Sequence, residues 1–191
     1  MSHRANRVHA TVDSPLGPVT LVAADGGLAG LYLDTQRHPP TADELGDEDV
    51  TSSCLEDGNG TSSPNVAVLA EAARQLTAYF DGRLTEFDVP LALAGTPFQQ
   101  AVWAALQRVP YGETVSYREL AEQIGRPTAA RAVGMANGRN PVAIIVPCHR
   151  VVGTGGGLVG YGGGVDRKRR LLEFERGGTS LFGSRTGTFG N

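Results

Sequence analysis

The chain has 191 residues, is 40% hydrophobic and carries a formal net charge of −3. That length allows one medium domain or two small ones, each with a real core. Two cysteines exclude a disulfide framework. No apolar run reaches the ~20 residues a membrane span needs, and the opening Met1-Ser2-His3-Arg4 lacks the apolar stretch of a secretory signal. These features predict a cytoplasmic protein with no membrane partner. The charge is unevenly placed: residues 1–100 hold 5 Lys/Arg against 14 Asp/Glu, whereas residues 101–176 hold 11 against 6. A basic C-terminal half in an acidic chain suits a polyanion-binding face.

In chain order, Val8–Val12, Val19–Ala23 and Leu28–Leu33 are short apolar runs cut by Asp13–Gly17 and Gly26-Gly27. This pattern predicts an antiparallel sheet. Residues 34–63 are acidic and rich in Ser, Thr, Gly and Asp, and predict a long, poorly ordered loop. Cys54 lies there with no base nearby in sequence. A helix is expected from about Val66 to Asp81, opened by Ser63-Pro64 and ended by Gly82. Phe87–Leu93 reads as a strand or an extended linker. The reading gives an N-terminal unit over 1–94, a second unit over 95–177 and a flexible tail over 178–191.

The second unit opens with Thr96-Pro97, a cap followed by proline at the first helical position. Ser116 with Glu119 forms a capping box for the next helix, which Gly125 stops. Pro127-Thr128 opens another, from about Ala129 to Asn137. Two short helices joined by Gly125-Arg126-Pro127 read as a helix-turn-helix. A strand is expected at 143–146, then a glycine-rich loop over 153–164 and a last helix from Asp166 to about Glu175.

The chemistry gathers in Ile144–Gly153, where Pro147 ends the apolar run and Cys148-His149 follows. A nucleophilic thiol needs a fixed position and a nearby base, because the thiolate is the reactive species. His149, adjacent in sequence, reaches the sulfur more easily through a water than directly. Glu175 on the last helix is placed to orient the imidazole, in the nucleophile–base–orienter arrangement. The second helix of the helix-turn-helix, Ala129–Ala136, offers small residues and one polar projection, Arg131. It cannot read base edges, so it suits a shallow minor groove and sequence-independent binding.

Arg131–Pro141, the Cys148 segment, Gly160–Gly164 and Arg167–Glu175 together resemble the O6-alkylguanine-DNA alkyltransferases (methylated-DNA–protein-cysteine methyltransferases), in particular the single-domain bacterial form. The resemblance is strong over Pro97–Glu175 and weak before it. It implies an α+β fold with a ribonuclease-H-like N-terminal sheet-and-helix domain and a winged-helix-like C-terminal domain. It implies irreversible, single-turnover transfer of the alkyl group of O6-alkylguanine, and of O4-alkylthymine, to Cys148. His149 and Glu175 complete a Cys–water–His–Glu relay. Tyr117, assisted by Lys168, protonates the departing ring. Arg131, with Ala130, Tyr117 and Arg118, meets double-stranded DNA in the minor groove, and Arg131 replaces an everted nucleotide. Tyr161, Val151, Val146 and Gly162 line the guanine pocket, and Asn140 is a structural hinge. Neither cofactor nor metal is implied, since His3, His9, His38 and Cys54 show no ligand spacing. A monomer, cooperative on DNA or not, is expected. Gly162 and Met135 stand where the family often has Ala or Ser and a smaller residue, respectively. The competing readings are a non-catalytic lesion-binding relative, a cysteine hydrolase and a helix-turn-helix regulator. The first lacks the acceptor cysteine, the second needs an oxyanion hole, and the third needs base-reading side chains on the second helix.

Overall fold

A computed structural model of the chain describes residues 7–46, 48–50, 63–158 and 160–177. The N-terminal part is the expected antiparallel hairpin sheet. Strands β1 (Arg7–Val12) and β2 (Val19–Ala24) pair with Val8 opposite Ala23, and β2 pairs with β3 (Gly27–Leu33) through an irregularity at Val22/Ala23. The 34–63 segment is not loop throughout. It holds a short helix α1 (Ala42–Leu45), opened by a full capping box between Thr41 and Glu44, and a two-residue strand β4 (Glu48–Asp49) parallel to β1. The capping box explains α1: side chain and backbone satisfy each other's orphan donors without any apolar burial. Cys54 and the tail from 178 lie outside the described residues.

Helix α2 (Pro64–Phe80) follows the predicted span, with Ser63 capping Val66 N–H and proline at its start. Its apolar face, Val68, Leu69, Ala72, Leu76 and Tyr79, is buried against β1–β3. The chain then runs extended through Leu91, which bridges to Leu28 of β3.

The C-terminal part comprises α3 (Pro97–Leu106), α4 (Tyr117–Gln123), α5 (Ala130–Gly138) and α6 (Val165–Glu175). The capping box predicted at Ser116/Glu119 starts α4. Trp103, fully buried, donates its indole N–H to Ala136 O at 3.0 Å and locks α3 onto α5. Short parallel strands β5 (Val115–Ser116) and β6 (Val151–Val152) tie α4 to the residues after Cys148.

The predicted strand at 143–146 is instead a buried turn. Leu31 of β3 donates to Pro141 O at 2.8 Å and accepts from Ala143 at 3.3 Å, but the pairing ends there. Val146 N–H then bonds Val142 O at 3.0 Å, and Ile144 takes φ +70°. An apolar run buried on all sides looks the same in sequence whether it is extended or turned. A β-branched residue at positive φ is strained and persists only where its surroundings hold it. Here Asn140 is the holder: its amide donates to Val146 O at 2.7 Å and Val142 O at 3.4 Å, and its carbonyl accepts from Val142 at 3.1 Å.

Candidate active site

The turn delivers Cys148 into a one-turn 3-10 helix, Cys148–Arg150, packed against the last helix. The residue is only 5% exposed, yet it is not sealed: it lines a cavity of about 250 Å³. The walls come from both halves of the chain. Tyr32, Gln36 and His38 stand on one side; Asn137, Asn140, Tyr161 and Gly162 stand on the other. A second, more open depression of about 540 Å³ carries Tyr117, Ala130, Arg131, Gly134, Met135 and Gly160. The two share His38, Gly138, Arg139, Tyr161 and Gly162. The cavity at the thiol and the depression beneath the helix bearing Arg131 are therefore neighbours with a common wall. Arg131 is exposed on the outer face of α5. Arg118 is exposed and paired with Glu122 at 3.1 Å.

Burial pushes the Cys148 thiol above its ordinary range, so the sulfur rests as a thiol rather than as an anion. The Asn140 amide, the Lys168 ammonium and the backbone N–H groups of Cys148 and His149 pull the other way. They favour the thiolate once a proton leaves. Asn140 is thus more than a hinge, since it acts on the nucleophile as well as on the turn.

His149 and Glu175 are brought together as expected, with Nε2 at 2.8 Å from Oε1 and both side chains fully buried. A carboxylate only accepts, so Nε2 carries the hydrogen and Nδ1 presents a lone pair. That Nδ1 is buried and has no hydrogen-bond partner among the described residues. Burial lowers the His149 pKa, against the pull of Glu175, and keeps the ring neutral and able to accept a proton. Burial would raise the carboxyl of Glu175, but its bonds to His149 and Arg150 outweigh this and hold it at about 2.

Three partners of Glu175 were not anticipated. Arg150 grips it from Nε to Oε2 at 2.9 Å and from NH2 to Oε1 at 3.0 Å, while its NH1 donates to Val109 O at 2.6 Å. Tyr79 of α2 donates its hydroxyl to Oε1 at 2.7 Å. Gly112 N–H donates to Oε2 at 3.2 Å. The buried charge is paired on every side, as burial demands. Arg150 was visible in the Cys148-His149-Arg150 run, but nothing in sequence links Tyr79 to a site 96 residues away. Asn137, also missed, is buried on α5 and donates to Cys148 O at 3.4 Å.

Lys168 is fully buried on α6, donates to Val151 O and lies 6.0 Å from the Tyr117 ring centroid. Burial lowers its pKa to about 8, with Cys148 opposing. Tyr117 is half-buried, and burial followed by the nearby Cys148 raises its pKa, so it stays protonated at neutral pH. Tyr161 is buried and its hydroxyl has no hydrogen-bond partner among the described residues. Val146 and Val151 are fully buried and are not among the residues lining the cavity. Their carbonyls serve Asn140 and Lys168 instead.

Residues 97–177 match the profile of the 6-O-methylguanine DNA methyltransferase DNA binding domain, and residues 8–93 match that of the ribonuclease-like domain of the same proteins. The chain belongs to the 6-O-methylguanine DNA methyltransferase family. It is 51% identical over 166 residues to the methylated-DNA–protein-cysteine methyltransferase of Mycobacterium tuberculosis H37Rv, covering 87% of this chain and 90% of that one. The enzyme of the same name from Methanosarcina acetivorans is 46% identical over 167 residues, covering 87% and 97%. The crystal structure of Mycobacterium tuberculosis OGT in complex with DNA superposes with a TM-score of 0.76 at 49% identity, covering 91% of this chain and 95% of that one. Among the described residues, no group of three or more His, Cys, Asp or Glu is placed to hold a metal, and no helix is long and apolar enough to cross a membrane.

Proposed function

We propose that this chain repairs alkylated DNA by direct reversal, taking the alkyl group from O6 of guanine, and from O4 of thymine, onto Cys148. The observation that carries this reading is the cavity at the Cys148 thiol lying wall to wall with the depression beneath the Arg131 helix. A base turned out of the duplex has a place to go, and the helix that faces its origin bears small residues and one long cation. Docking of α5 in the minor groove, with Arg131 entering the stack, needs no base readout and works in any sequence. Ala130 allows close approach, and Tyr117 and Arg118 flank the groove.

The reaction is an in-line displacement. A bond forms from sulfur to the alkyl carbon as the carbon–O6 bond breaks. The thiol proton passes to Nδ1 of His149 through a bridging water, and Glu175 stabilises the imidazolium. The departing oxygen leaves as the neutral keto base because the Tyr117 hydroxyl protonates the ring. Lys168, its pKa lowered to about 8, restores that proton. The product thioether is inert to water, and Cys148 is the free cysteine among the described residues, so the protein acts once. A reduced thiol suits the cytoplasm, and the protein works as a monomer.

Mass spectrometry after incubation with duplex DNA bearing O6-methylguanine tests this reading. One added methyl on the Cys148 peptide, absent in Cys148→Ala, is the expected result. Lesion binding without a mass change selects a non-catalytic binder, and turnover beyond one equivalent selects a hydrolase.

A further inference from the structure

Tyr79 belongs to the N-terminal half, on the helix that packs against β1–β3, yet its hydroxyl ends at the catalytic carboxylate. Its ring is fully buried, packed edge-on against Phe80, Tyr111 and Phe174 and tilted against Phe87, with centroids 5.2 to 6.1 Å away. The ring cannot swing the oxygen elsewhere without breaking that cluster. Glu175 accepts only, so the bond has one direction, hydroxyl to Oε1. The acceptor is the same oxygen that takes the His149 Nε2 hydrogen.

We infer that Tyr79 is a positioning residue for alkyl transfer, through which the N-terminal domain fixes the Glu175 oxygen beneath His149. This rests on the alkyl-transfer reading above. The charged and titratable groups facing Glu175 are Arg150 and His149 from the 3-10 turn, Tyr111 from the loop before α4, Tyr79 from α2 and, electrostatically, Tyr161 from the glycine-rich loop. Lys168 and Arg150 in turn act on His149. Burial and the neighbouring carboxylate both raise the Tyr79 pKa, so the hydroxyl remains a donor across the working range. Three hydrogens on Oε1, from His149, Tyr79 and Arg150, draw charge from it. Without the hydroxyl, Oε1 bonds the imidazolium more strongly but is held less firmly. His149 then gains its proton at higher pH, and the relay carries more geometric disorder.

The test is Tyr79→Phe, which keeps the ring and removes only the oxygen. Single-turnover alkylation is measured against pH with methylated duplex DNA and with free O6-benzylguanine. The rate with both substrates should fall about three- to tenfold at neutral pH, with DNA affinity unchanged. The acidic limb should move up by about half a pH unit. In a Glu175→Gln background the same change should matter less than twofold, because the two act as one unit. Wild-type rates and an unmoved limb in Y79F overturn the inference, as does a defect confined to duplex DNA. A wild-type protein that takes up no alkyl group instead overturns the alkyl-transfer reading itself.

Discussion

Replacing Glu175 by Gln changes one atom type at the centre of five donors. Its carboxylate takes His149, Tyr79 and Arg150 on Oε1, and Arg150 and Gly112 on Oε2. The amide keeps an acceptor for His149 but turns an NH2 toward two N–H groups, and it leaves buried Arg150 without a counter-charge. Breaking a buried ion pair from one side costs about 3–5 kcal/mol. The fall of the carboxyl from 4.5 to about 2 gives an independent figure of roughly 3 kcal/mol. At about 2–4 °C per kcal/mol for a chain of this size, E175Q should melt roughly 6–20 °C lower at pH 7. The folded-state pKa lies below the unfolded one, so this stability is fully present above about pH 4.5 and is lost as pH falls toward about 2. Urea unfolding of both proteins from pH 7 to pH 2 reads this directly. The gap should be widest at neutral pH and close in acid. Alkyl transfer should drop by about 10²–10⁴-fold. A variant that melts within about 2 °C of wild type, or a gap indifferent to pH, refutes the reasoning.

Lys168→Met should remove an alkaline limb near pH 8 from the alkylation rate and slow transfer at neutral pH; stopped-flow rates from pH 6 to 10 check both. Arg131→Ala should slow reaction with a lesion in duplex DNA at least tenfold while leaving reaction with free O6-benzylguanine within twofold, as side-by-side kinetics will show. Tyr161→Phe removes a buried hydroxyl without a partner among the described residues, so calorimetry should find it at least as stable as wild type, while its reaction with the free base weakens.

Local signals in the sequence carried most of the architecture. The capping pair Ser116/Glu119, Thr96-Pro97 and Ser63-Pro64 mark helix starts because each satisfies backbone donors within four residues. Cys148 and His149 were legible from residue type and Glu175 through the family resemblance, and the fold brings His149 and Glu175 together. What escaped was non-local or ambiguous. The run 143–146 is a turn because Asn140 and β3 compete for its backbone, and its uniform apolarity hides that. Tyr79, Gln36 and His38 reach the site from the N-terminal half by tertiary packing alone. Helix α1 was obscured by its acidic surroundings, although the Thr41/Glu44 pair was there to be read. The resting state of Cys148 also differs from a poised anion, since desolvation outweighs its polar neighbours.

The most direct measurement titrates the purified protein with a duplex carrying a radiolabelled methyl on O6 of guanine and counts label bound covalently at completion. The account predicts one methyl per protein, all on Cys148, with uptake stopping there however much lesion remains. Label released to solvent, uptake continuing past equivalence, or label on another residue contradicts it.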